Sequence, residues 1–156
     1  MPHLERSLAL NPRHFLTHLP MAHAKMYCAQ ALFRKDPANV DSALQLLDEA
    51  TAHAQALLDV CPMYARAHDA LGRIASISAV CLGSANVAGA EKRVREYWLA
   101  AEGHLTDAAR YGGADQGALY RALARVRVAL GDVAGAEAAL VQAAAAEPGD
   151  GALGRV

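Results

Sequence analysis

A chain of 156 residues is long enough for one domain with a sizeable core, and a formal net charge of −1 with a pI near 6.6 supplies no field that favours nucleic acid or an anionic membrane surface. Roughly a quarter of the residues are alanine and only 5% are aromatic, a composition that favours helix because alanine gives up no side-chain entropy on entering one. No alternating β-branched run reads as a strand, so an all-α fold is expected.

Near its start the chain reads LERSLALNP, Leu4 to Pro12, like the tail of a helix whose partner is missing; residues 1–12 are taken as that remnant. The first residues lack the basic-then-apolar pattern of a signal peptide. No stretch approaches the roughly 18 apolar residues of a membrane span. Helical periodicity then runs near 14–34, 39–60, 63–81, 88–110, 115–130 and 133–146. Asp36-Pro37, Cys61-Pro62, the glycines of 83–89, Gly112-Gly113 and Gly131-Asp132 separate these segments. Linkers this short make consecutive helices antiparallel neighbours. After Pro148 the Gly-rich stretch 149–156 is expected to be a disordered tail.

In the first segment His14 and His18 lie four apart, with His23 beyond Pro20, a proline expected to disturb the helix there. An i,i+4 histidine pair can chelate a transition metal, but nothing completes a recognised spacing. No metal site is therefore assigned, and His14, His18 and His23 stay as the candidates if one exists. Cys28, Cys61 and Cys81 are an odd set in no metal-type spacing. They read as small apolar residues in helical surroundings and point to the cytoplasm, with the periplasm as the alternative if the chain is part of a larger protein. No base stands beside any of them, so neither catalysis nor a cofactor is expected. In EKRVREYW, Glu91 and Arg95 are placed to pair along a helix surface. Tyr97 and Trp98 there read as hairpin core, with a partner-binding anchor as the alternative.

The segments repeat. Pro12 and Pro62 are 50 residues apart, and so are Pro62 and Gly112. Laid over 63–112 without a gap, unit 13–62 sets His18 on His68, Met21-Ala22 on Leu71-Gly72, Ala29 on Ala79, Leu44 on Val94 and Ala50 on Ala100. A third unit, 115–148, continues the series with Tyr120 and Leu123-Ala124. Together these make a single domain over 1–148.

That third unit resembles a tetratricopeptide repeat, through Tyr120, Leu123-Ala124, Gly131, Ala136, Leu140, Ala143 and Pro148. Gly131 stands where the first helix must end at positive φ, and Ala136 and Ala143 are small enough for close helix approach. The first two units depart from the pattern: they are longer and lack the turn glycine at its usual place. The resemblance implies an α-α superhelix of about three antiparallel hairpins, whose first helices line a concave groove that binds a peptide or partner protein. Carried over by helix phase, the groove takes His23, Met26 and Tyr27 from unit one. Unit two contributes Arg66, Asp69, Arg73 and Ile77, and unit three Arg121, Arg125 and Val128. Arg73, Arg121 and Arg125 would form a basic strip suited to an acidic peptide or a C-terminal carboxylate. The reading is therefore a protein-interaction scaffold, with no nucleic acid and no membrane insertion. Two alternatives stand beside it: a histidine-based metal-binding protein, or a self-assembling or structural segment of a larger protein, an enzyme or a membrane-attached one, whose open N-terminal end stacks on a second copy or on an upstream part.

Overall fold

The computed structural model describes residues 15–112 and 115–146, so the expectations for residues 1–12 and for the tail 149–156 lie outside the described residues. Six α-helices follow one another: α1 (Phe15–Lys35), α2 (Val40–Val60), α3 (Ala65–Ser84), α4 (Glu91–Arg110), α5 (Gln116–Ala129) and α6 (Val133–Ala145), with a 3₁₀ turn over Pro37–Asn39. No strand occurs among the described residues. No helix among them is long and apolar enough to cross a membrane.

The helix ends follow from local chemistry. Asp115 and Asp132 each accept a hydrogen bond at 2.9 Å from the backbone N–H three residues on, at Ala118 and Gly135, and so cap α5 and α6. Asp36 does the same for the 3₁₀ turn through Ala38 N–H at 3.0 Å. Gly131 sits at φ +82°, as the turn requires. The Asp132 N–H reaches back to the Arg127 carbonyl at 2.8 Å and the Gly131 N–H to that of Val128 at 3.0 Å, a Schellman closure of α5. Asp132→Ala is expected to cost about 1 kcal/mol in urea unfolding, because it leaves the first turn of α6 without its acceptor.

Pro20 does not interrupt α1, which runs unbroken from Phe15 to Lys35. The ring removes one backbone donor, and the packing of the helix against its neighbours outweighs that loss. Two of the three cysteines also depart from expectation, Cys28 and Cys61 being exposed and only Cys81 buried. Glu91 and Arg95 form no ion pair; on that helix it is Arg93 that reaches one turn on, donating to the Tyr97 hydroxyl at 3.3 Å.

Packing is sequential. The helices pair as α1 with α2, α3 with α4 and α5 with α6, while α2 against α3 and α4 against α5 join the pairs. The first helices also meet side by side, α1 with α3 and α3 with α5. Much of the interior is alanine: Ala22, Ala29, Ala43, Ala50, Ala54, Ala67, Ala101 and Ala108 are fully buried. Small side chains bring the backbones close, and the larger Met21, Leu47, Leu57, Ile74, Leu105 and Val126 fill what remains. One buried charge, Lys25 on α1, reaches Glu49 on α2 at 3.2 Å.

The 50-residue correspondence holds across α1 and α3, where Met21 and Leu71, Ala22 and Gly72, and Ala29 and Ala79 are buried in pairs. It slips by one residue in α4. Ala50 is buried but Ala100 is exposed, and Ala101 takes its place inside. A longer connection between α3 and α4, with Asn86 at φ 54° and Gly89 at φ 74°, accommodates the extra residue.

Histidines mark the same inter-helix position in the first two hairpins. His18 of α1 meets His53 of α2, Nδ1 to Nδ1 at 3.1 Å. His68 of α3 faces His104 of α4 with ring centroids 5.9 Å apart. In α6, Leu140 is 52% exposed, because no described element packs over the outer side of that helix.

Candidate functional site: an arginine-rimmed groove across three hairpins

The contiguous first helices leave a concavity of about 520 Å³ on their shared face. From α1 it is lined by Met26, Tyr27, Gln30, Phe33 and Arg34, and from α3 by Arg73, Ser76, Ile77, Val80 and Cys81. Trp98 and Leu105 of α4 enter from below, and Ala122, Arg125 and Val126 complete it from α5. The spacing explains the convergence. Met26, Gln30 and Phe33 stand at i, i+4 and i+7, as do Arg73, Ile77 and Val80, so each set occupies one helix face.

The lining is an apolar floor with a basic rim. Three arginines contribute and no carboxylate does. Arg73 is partly neutralised, since its Nε donates to Asp69 Oδ1 one turn earlier at 3.0 Å. Arg34 and Arg125 make no ion pair with any described residue. Burial pushes the Cys81 thiol up, which leaves it a neutral, apolar lining atom at physiological pH. A second hollow of about 480 Å³ lies at the α3–α4 turn, beside Asn86, Glu91 and Arg95. It offers opposite charges and no contribution from the first hairpin.

Of the residues expected on the groove, Met26, Tyr27, Arg73, Ile77 and Arg125 line it together. Met26 does so as part of the floor, being only 3% exposed. His23 stands beside the lining. Its ring lies 6.4 Å from Tyr27, and its pKa is lowered from 6.5 first by burial, then by Arg73, with Asp69 opposing. Asp69 holds Arg73 without lining the concavity itself. Arg66, Arg121 and Val128 are outside the lining, and α5 presents Ala122 and Val126 in place of Arg121 and Val128. The phase of that helix is rotated by about one residue from the expected one.

Phe33 and Arg34 were missed, and Trp98 was read as hairpin core with a partner-binding anchor as the alternative. The first two continue the α1 face by about two more turns, a periodic signal present in the sequence but not followed far enough. Trp98 comes from a second helix, and no repeat position announces that it reaches through to the groove. It is half-buried, packing on the core and lining the groove at once.

Among the described residues no group of three or more His, Cys, Asp or Glu side chains is placed to hold a metal ion. His14 lies outside the described residues, and His18 turns to His53 rather than to His23. No protein-family model, curated protein or solved structure matches this chain.

Proposed function

We propose that the protein is an interaction module of the tetratricopeptide-like kind, which takes a peptide or an extended segment of a partner protein into the groove across α1, α3 and α5. The observation that supports this is a continuous concavity built by the first helices of all three hairpins, apolar at its floor and rimmed by arginines with no lining carboxylate. Apolar side chains of the ligand would enter against Met26, Tyr27 and Ile77. An acidic side chain or a terminal carboxylate would meet the guanidinium groups, whose planar forks match carboxylate geometry.

The test is selection from a displayed random-peptide library. The wild-type protein is expected to enrich sequences that set acidic beside apolar residues. The Arg73→Glu/Arg125→Glu protein is expected to bind those peptides roughly a hundredfold more weakly, because two cations of the rim become anions that repel an acidic ligand. Equal affinity for both proteins rules the groove out as the binding surface.

The self-assembly alternative rests on an N-terminal end outside the described residues. Its test is sedimentation, in which a concentration-independent monomer argues against it.

A further inference from the structure

Resting on that reading of the groove, we infer that its anchors are Arg34 and Arg125, one on each outer helix, and that Asp69 acts as an internal competitor that keeps Arg73 out of ligand binding. The ligand this selects is a peptide segment with apolar residues in its middle and a carboxylate at either flank.

The three guanidinium groups of the groove differ in whether a carboxylate already holds them. Arg34 on α1 and Arg125 on α5 line the groove and have no ion-pair partner among the described residues, whereas Arg73, between them on α3, is held by Asp69 at 3.0 Å. A carboxylate arriving at Arg73 must displace one already in place, at an effective concentration set by the helix itself, and gains little. A carboxylate arriving at Arg34 or Arg125 displaces only water. Charge recognition is thereby moved from the centre of the groove to its two sides.

The middle is left to apolar contact, and the groove is suited to that: Phe33, Ile77, Trp98 and Val126 line the same concavity as the two arginines. Neighbouring packed helices are about 8–10 Å apart, so the span from α1 to α5 is roughly 20 Å before the arginine side chains lean inward. An extended peptide advances about 3.3 Å per residue, which places the two carboxylates about three to five residues apart. Neither a lone carboxylate nor a uniformly acidic run meets both requirements.

Trp98 is the only tryptophan of the chain and lies in the floor, so its emission reports occupancy directly. The probes are a blocked pentapeptide with glutamate at both ends and leucine, phenylalanine and leucine between, and its counterpart with glutamine at both ends. The diglutamate peptide is expected to bind the wild-type protein roughly tenfold more tightly than the diglutamine one. Arg34→Ala and Arg125→Ala should each remove about that factor while leaving the diglutamine peptide unaffected. Arg73→Ala alone should change little. Asp69→Asn should tighten the diglutamate peptide about threefold, a gain that disappears in the Asp69→Asn/Arg73→Ala protein. If the peptides bind but Arg34→Ala is silent, or Asp69→Asn brings no gain, the assignment of anchors and competitor is overturned while the groove reading stands. If neither peptide perturbs Trp98 in the wild-type protein, both fall together.

Discussion

Replacing Gly72 with valine is expected to lower the unfolding free energy by about 3 kcal/mol, read from the midpoint of urea denaturation at neutral pH. Gly72 lies inside α3, where glycine costs about 1 kcal/mol relative to alanine, so the position is retained for a packing reason. A Cβ built there would lie 2.6 Å from Leu105 Cγ and 2.7 Å from its Cδ2, with the Leu105 backbone nitrogen at 3.3 Å. Leu105 is only 1% exposed, and the closest contact is with its Cγ, which moves only if the whole side chain or the α4 backbone does. The added methyl groups therefore push α3 and α4 apart along the tightest seam of the second hairpin. Alanine at 72 recovers helix propensity but meets the same contact, and is expected to lose about 1 kcal/mol net. In a double-mutant cycle, Leu105→Ala should cost less in the Gly72→Ala background than in the wild type, since each change relieves the other. If Gly72→Val unfolds at the wild-type midpoint, the two helices do not approach as closely as the structure places them.

The same residue shows how much of the fold was legible. Leu71-Gly72 stood out as the counterpart of Met21-Ala22, and the large-small pair marks a first helix that must face its hairpin partner closely. Helix number, type and order could be read because each break carries its own chemistry: Asp115, Asp132 and Gly131 punctuate the chain with side-chain acceptors or positive φ. The slip in α4 could not. Ala100 and Ala101 are both alanine, so composition gives no reason to bury one rather than the other. The decision is made by the Asn86–Gly89 connection, whose length shifts the whole helix by one residue. Pro20 deceived for the opposite reason, a strong local rule being overridden by packing along α1.

In the groove, charge and helix phase were legible on α1 and α3 but partnering was not. Arg73 and Asp69 were both expected there, yet a sequence does not show that one occupies the other. α5 carries Arg121 and Arg125 one turn apart, and which of them faces inward depends on how the third hairpin sits on the second. The structure turns Arg125 and Val126 inward and leaves Arg121 and Val128 outside the lining. Arg34 was overlooked because the groove was expected to end about two turns earlier, at Tyr27.

Acidification is expected to destabilise the protein over the range where its histidines titrate, before any carboxylate does. The pKa values of His18, His23 and His104 are all lowered from the ordinary 6.5, in each case chiefly by burial. His104 is lowered further by neighbouring His68, while Asp107 one turn on works in the opposite direction. With folded values below 6.5, the unfolded chain binds more protons between the two, so stability rises with pH there. It is fully present above 6.5, is lost as the pH falls through that value, and stops falling once the folded protein is protonated as well. Carboxylates titrate near 4, so the slope from neutral pH to about pH 5 reports the histidines. The geometry makes the loss specific. His18 and His53 share one hydrogen bond between their Nδ1 atoms at 3.1 Å, and it survives only while one of the two nitrogens keeps a lone pair. The Pro62 carbonyl accepts from His68 Nε2 at 2.9 Å, and the buried Nδ1 atoms of His68 and His104 have no hydrogen-bond partner. A proton added to His104 therefore enters the α3–α4 seam beside an imidazole and away from water. Replacing His104 with phenylalanine should leave the melting temperature at neutral pH unchanged or slightly raised, and should flatten its decline toward pH 5. A wild-type melting temperature that stays level across that range would mean that the rings are hydrated and do not sit between the helices of their hairpins.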